Sequence, residues 1–179
     1  LGIMHGLKGT EVRPTPNVEA YTPREIIEAA RLSMGEIDLD PASCDLANTV
    51  VKAKLFYSEN DSGLDRSWAG CVWLNPPFSG GRLRLFVCAL LAEFVHCNVD
   101  KACLLAPHVG GSTWVDEINA VADYIVCLKQ HLPWWGPQRT SGSAIGHSVW
   151  LFNADPSPWR DCPLVTAVYK KQWGMYSDI

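Results

Sequence analysis

The stretch Cys71-Val72-Trp73-Leu74-Asn75-Pro76-Pro77-Phe78 is the part of the chain that decides the fold. Its first four residues form an apolar run, as expected for a strand covered on both faces of a sheet. The two prolines that follow lack a backbone N–H and have a fixed φ, so the strand has to end beside Asn75. Ligands of open α/β sheets bind outside the carboxyl ends of strands, so this stretch predicts a buried strand with a site at its end.

The turn at 75–78 offers a particular set of chemical groups. Pro76 and Pro77 make it stiff and leave carbonyl acceptors without N–H donors beside them. The Asn75 side chain adds another acceptor, and the Phe78 ring adds a flat apolar face. Such a corner suits a planar group that bears an exocyclic NH2, as a nucleobase does. A strand-end turn without chemistry is the alternative, because Pro-Pro is common in loops.

Alternating helix and strand patterns extend outward from this stretch. Apolar residues recur at helical spacing over 26–34, and we expect Thr22 as the N-cap of this helix and Pro23 as its first residue. Further patterns predict helices over 42–48, 82–96 and 112–121, and strands over 36–39, 54–57, 102–106, 124–128, 148–152 and 164–169. The predicted fold class is α/β, a single three-layer Rossmann-like domain with a mostly parallel central sheet.

Composition narrows the class of protein. A chain of 179 residues suits one domain, and 47% hydrophobic residues are too many for a disordered chain. No apolar stretch approaches the roughly 18 residues of a membrane span, and residues 1–19 lack the apolar core of a signal peptide. We therefore expect a cytoplasmic protein with no membrane partner. The cysteines show no C-x-x-C pair and no clustering with histidine, so we expect no metal site.

Four segments together resemble one enzyme family. Asn-Pro-Pro-aromatic resembles the catalytic motif of amino-group methyltransferases that use S-adenosylmethionine. Three segments precede it in the order and spacing of the small phage- and prophage-type Dam DNA adenine-N6 methyltransferases: Tyr21-Thr22-Pro23, Asp38–Ser43 and Asp61–Leu64. The similarity is good over residues 20–110. It implies a methyltransferase domain over residues 21–179, after an irregular arm at 1–20 that is rich in Gly and Pro.

The resemblance also implies S-adenosylmethionine as the cofactor and assigns residues to it. Asp40 would contact the methionine or ribose part of the cofactor, and Asp61, with Leu64 nearby, would hydrogen-bond its adenine. The other expected cofactor contacts are Tyr21, Thr22, Pro23, Pro41, Ala42, Ser43 and Asn75. The glycines that many methyltransferases place after the first strand are missing here. Taken alone, Asp40 could equally be a helix N-cap and Asp61 a turn residue.

The expected reaction is direct methyl transfer to an exocyclic amine. Asn75 Oδ1 and the Pro76 carbonyl would accept the two N–H groups of the amine, within the stiff turn that Pro77 completes. Phe78 would stack on the base, which has to leave the duplex to enter the pocket. The catalytic residues are thus Asn75, Pro76, Pro77 and Phe78, and the substrate is a flipped adenine in DNA.

Contacts with DNA are harder to predict, because the net charge is −4 and phosphate binding depends on Lys and Arg. The candidates are Arg82, Arg84, Trp134, Trp135 and Arg139. Solvated surface charge is the alternative for the arginines, and loop anchoring is the alternative for the tryptophans, which lie in an expected long functional loop at 131–146. For the lone His108 and His147 we expect structural roles.

Two other functions stay open on the sequence alone. One is transfer to a different amine, on cytosine N4, an RNA base or a protein glutamine. The other is a non-catalytic relative that binds nucleic acid or a host protein. A homodimer is a further open alternative, because the chain has no obvious module for recognising a target sequence.

Overall fold

A computed structural model describes residues 20–78, 81–137 and 145–172, and the backbone of Met175–Asp178. The expected arm at 1–20 therefore lies outside the described residues except for Ala20. The strands are β1 (Leu39–Asp40), β2 (Leu55–Phe56), β3 (Gly70–Leu74), β4 (Val99–Pro107), β5 (Tyr124–Leu128), β6 (His147–Phe152), β7 (Val165–Gln172) and β8 (Met175–Asp178). The helices are α1 (Arg24–Met34), α2 (Asp45–Val51), α3 (Arg82–Val95), α4 (Thr113–Val121) and α5 (Ser157–Arg160).

These strands form one sheet in the order β2-β1-β3-β4-β6-β5-β7-β8. From β2 to β4 all neighbours are parallel, and we call these four strands the parallel half. From β4 onward every neighbouring pair is antiparallel, and β6, β5, β7 and β8 are the antiparallel half. Only β6 and β7 run against the direction of the other strands. The α/β class and the Rossmann-like arrangement are confirmed, with a sheet that is mixed.

Two core clusters cover the two faces of the sheet. Alternate residues of the central strands point to opposite faces, as the two-residue period of a strand requires. Trp73 on β3 and Leu105 on β4 pack with the buried faces of α1 and α5. Leu74 and Leu104 pack on the other side with α3 and α4. The sheet is thus the middle of three layers.

The start of α1 corrects one sequence-based expectation. The helix begins at Arg24, one residue later than predicted, and Pro23 precedes it with φ −54°. Thr22 does not cap it, because its hydroxyl is engaged with Asn75 instead. The alternative role of Asp40, as a helix N-cap, does not hold, since α2 begins at Asp45 and the Cys44 side chain accepts from the Ala47 amide.

Other boundaries moved by a few residues, and two elements were not predicted. Strand β5 has the predicted bounds, while β4 is longer at both ends. Helix α5 and strand β8 had no corresponding sequence prediction. None of the helices described is both long enough and apolar enough to cross a membrane.

Candidate active site

The ends of neighbouring parallel strands place two predicted site residues at one edge of the sheet. Leu39 on β1 pairs with Val72 on β3, so Asp40 at the end of β1 and Asn75 just after β3 lie at the same edge. The carboxyl ends of parallel strands are where α/β proteins bind ligands. The topology therefore brings these two predicted site residues to the same edge of the sheet.

The Asn75 side chain is held by Thr22. Asn75 Nδ2 donates to Thr22 Oγ1 at 3.0 Å, and Thr22 is only 5% exposed. Because the oxygen and nitrogen of an amide lie on opposite sides of its carbon, Oδ1 points away from Thr22 in this arrangement. No donor within the described parts of the chain reaches Asn75 Oδ1 or the Pro76 carbonyl. The corner therefore keeps two acceptors for a ligand.

Asp40 is a buried carboxyl group at the end of β1. It is 3% exposed, and its Oδ1 accepts from the Ala42 amide at 3.2 Å. Burial raises the pKa of Asp40 to about 7, an effect that the hydrogen bond from the Ala42 amide only partly opposes. A carboxylate has about four acceptor positions, so Asp40 retains capacity for a polar ligand.

The loop that carries Asp61 and Leu64 is pressed against the Asp40 loop. A Cβ on Gly63 would lie 2.2 Å from the Pro41 carbonyl oxygen, so only glycine permits this approach. The buried Trp68 donates from Nε1 to the Gly63 carbonyl at 2.8 Å and so holds the loop in place. Leu64 is half-buried, but the exposed Asp61 carboxylate pairs with Arg66 at the surface. A contact of Asp61 with a ligand would have to coexist with this pair or replace it.

Tyr21 and Trp135 close the side of the site next to α1. Their backbones form a short antiparallel bridge, with Tyr21 N to Trp135 O at 2.7 Å, and their rings meet edge to face at 5.0 Å. Trp135 Nε1 also donates to the Thr22 carbonyl at 2.8 Å. Cys44 Sγ lies 3.4 Å from the Tyr21 hydroxyl, which links this segment to the Asp40 loop. Trp135 thus anchors its loop, as the alternative reading of the sequence had it.

Three aromatic rings, those of Phe78, His147 and Trp134, lie next to one another beyond Asn75, and we call them the aromatic wall. The Phe78 ring is 40% exposed and lies 5.6 Å from the His147 ring, which in turn lies 5.1 Å from the ring of Trp134. Burial lowers the pKa of His147, so its imidazole is neutral at pH 7. From its sequence context we expected a structural role for His147 and no connection with the site. The spacing of 69 residues from Phe78 carried no signal of this contact.

The predicted basic contacts lie on the surface and are ion-paired. Arg82 Nη1 is 3.1 Å from Glu59 Oε1, and Arg84 Nη2 is 3.1 Å from Glu117 Oε1. The four side chains are 39–64% exposed, so solvent screens each pair and it contributes little to stability. Arg139 lies outside the described residues.

The sequence that builds this site matches a known protein family. A family model described as DNA N-6-adenine-methyltransferase (Dam) matches residues 17–141, which is more than half of the chain. The match includes the Tyr21 segment, both strand-end loops and the Asn75–Phe78 turn, and it ends before His147. No curated protein matches the chain. The chain belongs to the Dam family of DNA N-6-adenine-methyltransferases.

Proposed function

We propose that this protein transfers a methyl group from S-adenosylmethionine to the exocyclic N6 amine of adenine in DNA. The observation that carries the proposal is the acceptor-only corner formed by Asn75 and Pro76, in which Thr22 holds the Asn75 amide and the amide oxygen points away from Thr22. A corner that offers acceptors alone favours an NH2 group and disfavours a carbonyl. The family match supports DNA adenine as the base.

The residues around Asp40 fit S-adenosylmethionine. When bound, this cofactor supplies a methyl group activated by a positively charged sulfur. Its ammonium and ribose hydroxyls are donors, and the buried Asp40 carboxyl has acceptor positions to spare. The close packing of Gly63 on Pro41 makes one continuous rim from the Asp40 and Leu64 loops. Along it we place Tyr21, the backbone of Thr22, Pro23, Pro41, Ala42, Ser43, Asp61 and Asn75 as further contacts.

The chemical work of the chain is to prepare the amine. The lone pair of an adenine amine is delocalised into the ring, which makes the nitrogen a weak nucleophile. Acceptance of both N–H groups, by Asn75 Oδ1 and the Pro76 carbonyl, favours a pyramidal nitrogen whose lone pair is localised. These acceptors are fixed by the proline turn and by Thr22, so little reorganisation is needed at the moment of transfer. The positive charge that develops on the nitrogen is stabilised by the same oxygens. The N–C bond would form as the S–C bond of the donor breaks, S-adenosylhomocysteine would leave, and one of the two N–H protons would pass to solvent to give neutral N6-methyladenine.

An exposed aromatic face completes the proposed base pocket. Phe78 is exposed enough to stack on an adenine that has left the duplex, and His147 supports it from behind. Pro77 continues the rigid turn between the acceptors and this ring. Base–aromatic stacking contributes about 1–3 kcal/mol in single-strand-binding proteins. Arg82, Arg84 and Arg139 are the proposed phosphate contacts, with Trp134 and Trp135 next to the flipped nucleotide.

The products of a methylation reaction test the proposal. Unmethylated DNA, RNA and a protein extract would each be incubated with the protein and radiolabelled S-adenosylmethionine, and labelled DNA would be digested to nucleosides for mass spectrometry. We expect label in DNA alone, as N6-methyladenine. Cytosine N4 offers the same donor pattern to the corner, so N4-methylcytosine would correct the base. Label in RNA or protein alone, or none at all, would refute the proposal.

A further inference from the structure

We infer that the Thr22 hydroxyl is a positioning group for Asn75, and that it holds the Asn75 amide in the place and plane in which it meets the substrate. The inference rests on the proposed function and deepens it. The family resemblance places Thr22 among the contacts of the cofactor. The geometry points to a different task for its side chain, because the Oγ1 atom is engaged with the Asn75 amide.

A primary amide is nearly symmetrical in shape but opposite in chemistry at its two ends. One end accepts hydrogen bonds and the other donates them. If the Asn75 amide turned over, an NH2 group would face the NH2 group of the substrate, and neither could accept from the other. In the structure Nδ2 lies 3.0 Å from Thr22 Oγ1, which leaves Oδ1 at the other end of the amide. A hydroxyl can donate as well as accept, so Thr22 fixes the place and plane of the amide, and the NH2 group of the substrate, a donor, favours the Oδ1 end. Transfer therefore depends on Thr22, although Thr22 itself need not touch the substrate.

Thr22 is suited to this task because its own position is fixed independently of Asn75. Its carbonyl accepts from Trp135 Nε1 at 2.8 Å, and the Tyr21 backbone before it is bridged to the backbone of Trp135. Pro23 follows, buried and with a restricted φ, at the entrance to α1. The hydroxyl is thus presented from a rigid backbone within a buried environment. Two segments that lie 53 and 113 residues away from Thr22 in the chain meet at this one residue.

The test compares Thr22→Val with Thr22→Ser. Valine keeps the shape of threonine but has no hydroxyl, whereas serine keeps the hydroxyl and loses only a methyl group. We expect Thr22→Val to lower kcat about tenfold or more, in keeping with the loss of a preorganised polar group. Thr22→Ser should retain most of kcat. The Kd of S-adenosylhomocysteine, measured by calorimetry, should change by no more than about twofold in either variant.

Other outcomes would overturn the inference. A weakened Kd for S-adenosylhomocysteine with unchanged kcat in Thr22→Val would make Thr22 a cofactor contact, as the resemblance implies. An equal loss of kcat in Thr22→Ser and Thr22→Val would show that the hydroxyl has no role of its own. A wild-type protein that methylates no DNA would refute the proposed function. An active wild type with an unaffected Thr22→Val variant would refute the positioning role alone.

A second measurement does not depend on activity. The two side-chain NH2 protons of Asn75 can be assigned by NMR from their loss in Asn75→Gly. In Thr22→Val these resonances should shift and their exchange with water should become faster, because the acceptor is gone. In Thr22→Ser they should stay near their wild-type positions. Unchanged resonances in Thr22→Val would contradict the hydrogen bond directly.

Discussion

The two halves of the sheet contribute to the site in different ways. In the parallel half, the loops after β1 and β3 bring Asp40 and Asn75 to one edge at the carboxyl ends of their strands. In the antiparallel half, the site receives His147 from the beginning of β6, opposite Pro107 at the end of β4. The parallel half supplies the polar groups for chemistry, and the antiparallel half supplies His147, the middle ring of the aromatic wall. A strand that reverses direction delivers its first residue to the edge where its neighbours deliver their last.

If the parallel half supplies the groups for chemistry, a substitution in that half should have the largest effect on activity. Asn75→Ala removes the Oδ1 acceptor, and we expect kcat for methyl transfer to fall by about 100-fold or more, as when a preorganised polar group is lost from other active sites. The Kd of S-adenosylhomocysteine should stay within about threefold of wild type, because Asp40 and its loop are untouched. Steady-state kinetics and calorimetry would measure the two quantities.

Asn98→Ala is the matched control for that variant. Asn98 precedes β4 at the opposite edge of the sheet, where its exposed side chain donates to Glu93. The same deletion of an amide there should leave kcat unchanged. Full activity of Asn75→Ala would contradict the proposal that the parallel half supplies the groups for chemistry.

Asp40 gives the next largest effect, on stability and on pH dependence. Its pKa is about 7 in the folded protein and 3.8 by reference, so between these pH values the folded state holds a proton that the unfolded state has released. The free energy of unfolding therefore falls as the pH rises through this window, by about 4 kcal/mol at most. Asp40→Asn has no such titration, so it should be the more stable protein at pH 8 and lose that advantage near pH 4. Denaturant unfolding without cofactor measures this.

The same carboxyl should make cofactor binding depend on pH. An ionised Asp40 favours a positively charged cofactor, so the affinity of the wild type for S-adenosylmethionine should fall as the pH is lowered from 8 to 6. Asp40→Asn should bind more weakly at pH 8 and show a flatter profile. Asp116→Asn, at an exposed position on α4, is the control. Parallel pH profiles for wild type and Asp40→Asn would rule out this role for the carboxyl.

A substitution of His147 tests how much the antiparallel half contributes to DNA binding. His147→Ala removes the ring between Phe78 and Trp134, and aromatic pairs of this kind contribute about 0.5–1.5 kcal/mol. We expect KM for DNA to rise about three- to tenfold, with little change in the Kd of S-adenosylhomocysteine. His96→Ala, at the exposed end of α3, should change neither. A loss of kcat as large as that of Asn75→Ala would mean that the wall also takes part in the chemistry.

The division between the halves also explains what the sequence could predict. Apolar runs followed by polar loops mark the ends of parallel strands, so Asp40 and Asn75 could be placed at the site from local pattern and family resemblance. The contact of Phe78 with His147 could not, because it depends on β6 entering the sheet against the direction of β4. Likewise, a proline after a threonine predicts an N-cap, and only the tertiary structure shows that Thr22 bonds to Asn75 instead.

The smallest predicted effect concerns the surface outside both halves. Arg82 is the first residue of α3, and its exposed side chain pairs with the exposed Glu59. Because such pairs contribute little, Arg82→Ala should change the free energy of unfolding by no more than about 0.5 kcal/mol. If Arg82 contacts a phosphate, the variant should bind DNA several-fold more weakly at low salt, and the slope of log K against log salt should decrease by about one. Arg160→Ala on α5, at the other face of the sheet, should leave that slope unchanged. Equal slopes for Arg82→Ala and wild type would remove Arg82 from the DNA contacts, leaving recognition to the base pocket and its aromatic wall.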